Sequence, residues 1–158
     1  MIRWRIVLIG IVLLLADRGR AGPALSRYEV VRIEPVKTSI YVGSVTLSVT
    51  PFLRKDHVFQ STYAARVFPY FFYNEQGKIS IPIPDEDLEK LSRGETITFA
   101  GRGVNDAGDE RKIDGKATAA GPHGGRIKVR VYVSKRIALV FNTTYSLMEA
   151  PIAQPSAH

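Results

Sequence analysis

Residues 126–145 read RIKVRVYVSKRIALVFNTTY, and this stretch decides the fold that the sequence predicts. In its first half, apolar residues at 127, 129, 131 and 133 alternate with basic residues and a tyrosine. After the polar corner Ser134-Lys135-Arg136, the alternation resumes from Ile137 to Tyr145. A period of two is typical of strands with one buried face. The stretch therefore predicts a β-hairpin whose apolar face is covered by the rest of the chain.

Further strands are predicted wherever alternation is bounded by turn residues. Because proline cannot donate to a β-ladder, Pro69 and Pro82 indicate a gap at the third and fourth strands. We therefore expect an all-β fold, a single antiparallel β-barrel or barrel-like sandwich of about eight strands. The predicted strands are 28–33, 39–50, 58–73, 78–83, 95–104, 111–118, 126–133 and 137–145.

One short helix is predicted from Asp85 to Arg93. Acidic residues occupy its first turn and basic residues its last, which is the arrangement that the helix dipole favours. Asp85 is a candidate N-cap and Gly94 a stop signal. Leu88 and Leu91, three residues apart, would pack this helix onto the sheet.

The ends of the chain have a different composition from the strands. Residues 1–21 combine a basic start, an apolar run too short to span a bilayer and a G-x-A sequence, which is typical of a secretory signal peptide. Residues 149–158 contain two prolines and no periodicity, so we expect a disordered tail after a domain at 22–148. These features predict a periplasmic or secreted protein without a transmembrane span in its mature chain.

Composition narrows the function classes. The predicted leader holds four arginines and one aspartate, so its removal lowers the net charge from +7 to +4. With no cysteine and three scattered histidines, a zinc or copper site is not expected. Phosphate-binding, dinucleotide-binding and nucleophile-elbow motifs are also absent from the sequence. We therefore expect neither an enzyme nor a cofactor.

The segment 85–131 resembles the YceI-like family of exported, lipocalin-shaped barrels. The resemblance rests on Asp87-Leu88 in a short helix, on Ile97-Thr98-Phe99 and Ile113-Asp114-Gly115, and on the strand of alternating valines. Two other elements of that family, a small G-x-F hairpin and a threonine-proline-valine sequence, are not evident in this chain. The resemblance implies an isoprenoid or other amphiphilic lipid as ligand.

Aromatic residues form the first candidate site. The run from Phe68 to Tyr73 is almost entirely aromatic, and neighbouring residues on a strand point to opposite faces, so these rings cannot all enter one core. Packing is one interpretation of them, and the mouth of an apolar ligand pocket is the other. The candidate ligand-binding residues are Tyr41, Phe68, Tyr70, Phe72, Phe99 and Phe141.

A concentration of basic residues forms the second candidate site. Residues 111–136 hold eight basic residues against one aspartate, more positive charge than the net charge of the whole mature chain. A solvated outer face that discourages aggregation is one interpretation, and a surface for anionic lipid headgroups or an acidic envelope polymer is the other. Nucleic acid is not expected as the partner. The candidate surface is Lys112, Lys116, Arg126, Lys128 and Arg130.

The two sites define two functional hypotheses. The first is an exported, non-enzymatic binding protein for an apolar or amphiphilic molecule held in a barrel pocket. The alternative is a structural or interaction domain of the cell envelope that uses its basic outer face.

Overall fold

A computed structural model describes residues 28–149 of the chain. The predicted leader at 1–21 lies outside these residues. So does the predicted tail, except for Glu149, which ends the last strand.

Ten strands and one helix make up the described part of the chain, together with a single 3₁₀ turn at Phe71–Tyr73. In chain order they are β1 Tyr28–Ile33, β2 Val36–Ile40, β3 Gly43–Val49, β4 Phe52–Lys55, β5 Val58–Phe68, β6 Glu75–Pro82, α1 Asp85–Ser92, β7 Thr96–Asn105, β8 Glu110–Ala119, β9 Gly124–Tyr132 and β10 Ala138–Glu149.

Eight antiparallel strands close into a barrel in the order β1, β4, β5, β6, β7, β8, β9, β10, with β10 pairing back to β1. The predicted all-β fold with a single barrel and one short helix is confirmed. Closure leaves these eight strands no free edge along the paired part of the ring, which removes a template for aggregation.

Two of the barrel strands, β1 and β4, are each extended by a second strand beyond a short interruption. β2 follows β1 after Pro35, and β3 precedes β4 across Pro51. β2 pairs with β3, and β3 pairs with residues 63–68 of β5. Both breaks fall at a proline because its missing N–H cannot join the ladder.

The prediction of one strand at 39–50 was wrong. Ile40 pairs directly with Gly43, so Tyr41 and Val42 form a two-residue hairpin turn between β2 and β3. Gly43 has φ of +119°, and a Cβ atom there would lie 1.9 Å from the carbonyl oxygen of Phe68. Only glycine fits this position.

The predicted gap beside Pro69 and Pro82 was also wrong. β5 and β6 pair without interruption from Val58↔Pro82 to Ala65↔Glu75. Pro69 lies beyond the end of β5 and Pro82 is the last paired residue of β6, so neither removes a bond from the ladder interior. The opening lies instead between β2 and β10.

We call this unpaired part of the barrel wall, which lies in its upper half, the slot. Pairing between β1 and β10 stops at Ile33↔Tyr145. The last links are the backbone bond from Glu34 N to Thr144 O, 3.3 Å, and the Thr143 hydroxyl donating to Glu34 O, 3.1 Å. Beyond them β2 stays near β10 without forming a ladder with it, and β3 is its one ladder partner among the described strands.

The barrel has two different ends. At the upper end lie four loops, at 41–42, 69–74, 106–109 and 133–137. At the lower end lie helix α1 and the turns at 56–57 and 120–123. Leu88 and Leu91 of the helix are buried in the core cluster, as predicted, so α1 covers the lower end.

Alternate residues of the barrel strands form the interior, as the periodicity predicts. In the hairpin at 126–145, Val129, Val131 and Phe141 all face the core, while Lys128 and Arg130 are exposed. Between β7 and β8 the ring of Phe99 lies over its cross-strand partner Gly115, whose missing side chain leaves the space.

Candidate functional site

The barrel interior contains three apolar spaces that follow one another along its axis. The lower space is lined by Leu88 and Leu91 of the helix, and the upper one by Val133 and Leu139. The middle space lies beside the unpaired part of β2 and β10, where Val36 and Thr143 line it. Lining residues are shared between successive spaces, Phe99 by the lower two and Phe141 by the upper two. Together the spaces form an apolar lumen.

The lumen is not filled by side chains. Among the described residues, no large side chain is completely removed from solvent. Ten hydrophobic residues packed against the core stay partly accessible: Val31, Ile33, Leu47, Val49, Ala65, Ile83, Phe99, Ala119, Val129 and Val131. Native interiors normally pack as densely as organic crystals. Small apolar spaces therefore remain between these walls.

Free space in the lumen is narrow. The lower and upper spaces each have a volume of about 50 Å³, and the middle one has a volume of about 40 Å³. Pockets for compact drug-sized ligands measure about 300–1,000 Å³. The spaces are much smaller than such pockets, which favours a thin flexible guest over a bulky rigid one.

Tyr145 places an unpaired polar atom in this apolar environment. The residue is 6% exposed, lines the lower space, and its hydroxyl has no hydrogen-bond partner. Burial raises the pKa of Tyr145 above its ordinary value of 10.0, so the hydroxyl stays protonated. Leaving such a group unpaired costs about 1–3 kcal/mol. It is a ready donor for a polar atom that enters the lumen.

A charged pair lines the upper space of the lumen. Arg111 Nη2 lies 2.8 Å from Glu75 Oε2, and both residues line the upper space. Glu75 also accepts hydrogen bonds from the Tyr63 hydroxyl, 3.0 Å, and from Asn105 Nδ2, 3.3 Å. The carboxylate is thus held by three donor residues at the boundary between apolar lumen and solvent.

The electrostatics of this cluster keep both charges in place. Burial alone would raise the pKa of Glu75, but the hydrogen bonds from Arg111, Asn105 and Tyr63 outweigh it and hold the pKa below 4.5. Burial, then the bond to Glu75, raises the pKa of Tyr63. The hydrogen bond to Glu75 raises the pKa of Arg111. A carboxylate held so firmly is a weak base, which suits anchoring better than proton transfer.

At the lower end, a second ion pair holds the helix cover. Arg54 Nη2 lies 2.5 Å from Asp85 Oδ1 and 3.3 Å from the carbonyl oxygen of Ile83. Pro84, not Asp85, is the N-cap, because the Asp85 carboxylate is bound to Arg54 instead of capping the helix. Arg54 thus joins β4 to the start of α1.

The predicted ligand-binding residues separate into two groups. Phe99 and Phe141 line the lumen. The other four are exposed at the upper end, outside the lumen: Tyr41, Phe68, Tyr70 and Phe72. The structure therefore does not bring the six together, because Tyr41 is a turn residue and the aromatic run extends past the end of β5.

The predicted basic residues do lie together, on the outer face of β8 and β9. Lys116 is directly opposite Lys128, Arg126 is opposite Thr118, and Arg130 is opposite Asp114. Lys112 is 3.3 Å from Asp114 and its ammonium lies 5.3 Å from the ring centre of Tyr132. The face is positive, with a like-charge pair at its centre.

Sequence reasoning missed the Glu75–Arg111 pair, although the alternation contained the signal. Arg111 has the same parity as Ile113 and therefore the same inward face, and Glu75 has the same parity as Ile79. Two opposite charges at inward positions predict a buried pair. Net charge alone assigns Arg111 to the basic segment 111–136 and gives no sign of its partner.

The described residues give no sign of a metal site or a membrane-spanning helix. No group of three or more potential metal ligands occurs between 28 and 149. Within the same residues, the structure contains no helix with the length and hydrophobicity needed to cross a bilayer. Comparison with protein-family models, with curated proteins and with solved structures finds no match for the chain.

Proposed function

We propose that this protein is a non-enzymatic binding protein that takes the hydrocarbon chain of an amphiphilic molecule into its barrel. The observation that carries the proposal is the incompletely packed apolar lumen, with ten partly accessible hydrophobic residues around it. Burying apolar surface against such walls is favourable by about 25 cal/mol per Å². Empty space lined only by apolar groups gains these contacts when a guest enters.

The shape of the lumen supports a chain rather than a ring system as the guest. Its three spaces are narrow and lie in succession from the helix cover to the upper loops. The slot between β2 and β10 lies beside the middle space and is the entrance that we propose. These features agree with the amphiphilic ligand that the resemblance to the YceI-like family implies, and that family assignment remains a proposal.

Polar groups in the lower and upper spaces of the lumen favour an amphiphile over a pure hydrocarbon as the ligand. The Tyr145 hydroxyl offers a hydrogen bond to a polar atom carried inside, and Arg111 with Glu75 offers charge near the upper mouth. We propose a binding role over catalysis because this carboxylate and guanidinium are already paired with each other. We also propose that the protein works in the periplasm or outside the cell, on the strength of the predicted leader.

Fluorescence titration with cis-parinaric acid, a polyene fatty acid, tests the lumen. We expect saturable binding by the wild type and about tenfold weaker binding by Val129→Phe and Ala117→Leu, which add volume inside the lumen. Val140→Phe is the matched control. Val140 is paired with the exposed Arg130 on the outer face. The affinity of this variant for the probe is therefore expected to stay within about twofold of the wild-type affinity.

Two results would count against lumen binding. One is the absence of saturable binding by a wild-type protein that shows a cooperative thermal transition. The other is equal affinity in Val129→Phe, Ala117→Leu and Val140→Phe, which would place the probe on the outside of the barrel.

A second candidate function is attachment to an anionic partner through the basic face. Lys116 opposite Lys128 favours it, because directly opposed like charges destabilise a strand pair unless an anion lies between them. Changing Arg126, Lys128 and Arg130 together to glutamate is expected to abolish retention on an anionic polymer such as heparin. Unchanged retention would remove this candidate.

A further inference from the structure

The upper end of the barrel exposes an unusual amount of apolar surface. Among the described residues, every exposed large hydrophobic side chain except Leu53 and Met148 belongs to three upper-end segments. We call these segments the apolar crescent: loop 41–42, residues 68–73 and loop 133–137. Its exposed members are Tyr41, Val42, Phe68, Tyr70, Phe71, Phe72, Tyr73, Val133 and Ile137.

The crescent occupies one side of the upper end. Around the barrel the upper loops follow the strand order, so loop 41–42 has residues 68–73 on one side and loop 133–137 on the other. The fourth loop, 106–109, lies across the barrel from loop 41–42 and carries Asp106 and Asp109. The end is therefore divided into an apolar side and an acidic side.

The aromatic part of the crescent is held in place, with its rings outside the core. The side-chain oxygen of Asn74 accepts a hydrogen bond from Val67 N, 2.7 Å, and Tyr73 N donates to Tyr70 O, 3.0 Å. The ring centres of Phe72 and Tyr73 are 4.5 Å apart, yet Phe72 is 75% exposed. A loop with its own hydrogen bonds loses less entropy when its exposed rings are covered.

The charge of the crescent favours an anionic partner. Its three segments contain no aspartate or glutamate, and Lys135 and Arg136 lie between the exposed residues Val133 and Ile137. Tyrosine and phenylalanine beside basic residues suit the boundary between anionic headgroups and acyl chains. A two-fold pairing of crescents would instead bring the basic residues of two copies toward each other.

We propose that the apolar crescent is a docking surface for an anionic lipid bilayer. The rings of 68–73 and the side chains of Tyr41 and Val42 enter the interface, and Lys135 and Arg136 lie at headgroup level. The acidic loop 106–109, across the barrel, then faces away from the bilayer. This orientation turns the slot between β2 and β10, which lies beneath loops 41–42 and 133–137, toward the membrane.

Cosedimentation with vesicles tests the proposal on the full chain. Vesicles of phosphatidylcholine with phosphatidylglycerol are expected to bind the wild type, and Phe71→Ser/Phe72→Ser to bind about tenfold more weakly. Leu53→Ser is the matched control: Leu53 is 60% exposed but lies on β4 outside the crescent, so binding should change by less than about twofold. All variants share residues 1–27, so any contribution of that segment is common to them.

Two variants with the same change in net charge distinguish the crescent from the basic face as the membrane contact. Lys135→Glu/Arg136→Glu is expected to weaken binding to the anionic vesicles about tenfold and to leave binding to pure phosphatidylcholine unchanged. Lys116→Glu/Arg126→Glu makes the same change in net charge at the lower half of β8 and β9, and should weaken binding by less than about threefold.

Three outcomes would overturn the proposal. The first is equal vesicle binding by wild type, Phe71→Ser/Phe72→Ser and Lys135→Glu/Arg136→Glu. The second is a greater loss in Lys116→Glu/Arg126→Glu, which would assign the membrane contact to the basic face. The third is a wild-type dimer in sedimentation analysis that Phe71→Ser/Phe72→Ser dissociates, without vesicle binding, which would make a second copy the occupant.

Vesicle docking and lumen binding can fail separately. The docking variants lie outside the lumen, so a loss of acyl-chain uptake from the vesicles does not explain their effect. Val129→Phe, which fills the lumen, should bind vesicles as the wild type does. Loss of vesicle binding with normal titration by cis-parinaric acid would reject docking alone, and the reverse result would reject lumen binding alone.

Discussion

At the scale of single residues, two tyrosine hydroxyls differ in their hydrogen bonding, which allows their effects on stability to be compared. The Tyr63 hydroxyl donates to a carboxylate, whereas the Tyr145 hydroxyl is buried without a partner. Removing an unpaired buried hydroxyl relieves a desolvation cost, so Tyr145→Phe should stabilise the ligand-free protein by about 1 kcal/mol or more. Tyr63→Phe should destabilise it by about 1.5–3 kcal/mol. Urea unfolding measures both. A destabilised Tyr145→Phe variant would contradict this account.

Glu75 predicts how stability depends on pH. Although burial opposes it, hydrogen bonding holds the pKa of Glu75 below 4.5 in the folded protein. A carboxyl group with a lowered folded pKa binds protons more readily when unfolded, so its stabilisation is present at neutral pH and lost as pH falls below about 4.5. The free energy of unfolding should therefore fall more steeply for wild type than for Glu75→Gln in this range.

The control for this pH series is Glu29→Gln, because Glu29 is exposed on β1. Its curve should run parallel to that of the wild type, measured by urea unfolding at successive pH values below neutrality. Parallel curves for wild type and Glu75→Gln would show that the cluster with Arg111 does not stabilise the fold.

At the scale of elements, two glycines on neighbouring strands test how closely the barrel wall is packed. A Cβ atom at Gly77 would lie 2.1 Å from the backbone oxygen of Val104, whereas at Gly103 the nearest atom would be 3.5 Å away. Gly77→Ala should therefore destabilise by about 1–3 kcal/mol. Gly103→Ala should be neutral or mildly stabilising, since alanine reduces the freedom of the unfolded chain. Equal midpoints of thermal unfolding for the two variants would contradict the strand register.

Sequence periodicity predicted the elements whose two faces differ in polarity. β7 to β10 alternate apolar and polar residues. The acidic residues of its first turn likewise predicted where α1 begins. The hairpin at Tyr41-Val42 was missed because both turn residues are apolar and continue the alternation. Its turn signal is Gly43, which the alternation placed on a strand face.

Prolines were harder to interpret than glycines. Pro69 and Pro82 mark strand ends, whereas the slot follows Pro35, where the chain leaves its pairing with β10. The sequence shows that a proline interrupts a β-ladder. It does not show with which of the two neighbouring strands the pairing is lost. The candidate site shared this limit: Phe99 and Phe141 were placed by periodicity, but no periodicity applies to Tyr70 and Phe72 in a loop.

At the scale of the whole molecule, the barrel combines a covered lower end, a lateral slot and an apolar upper rim. The helix cover depends on Leu88, which is buried against the core. Leu88→Ala should destabilise the protein by about 2–5 kcal/mol in urea unfolding. Leu53→Ala, at an exposed position, should change stability by less than about 0.5 kcal/mol. Equal losses would mean that α1 does not pack on the barrel.

The most direct test of the account is where a hydrocarbon chain lies when the protein binds it. Nuclear Overhauser contacts between ¹³C-labelled palmitate and the protein report this position. We predict contacts from the chain protons to the methyl groups of Ile127, Val129 and Leu147 inside the lumen. Contacts only to outward methyl groups such as those of Leu53, or none at all with palmitate in excess, would contradict the claim that the lumen is the binding site.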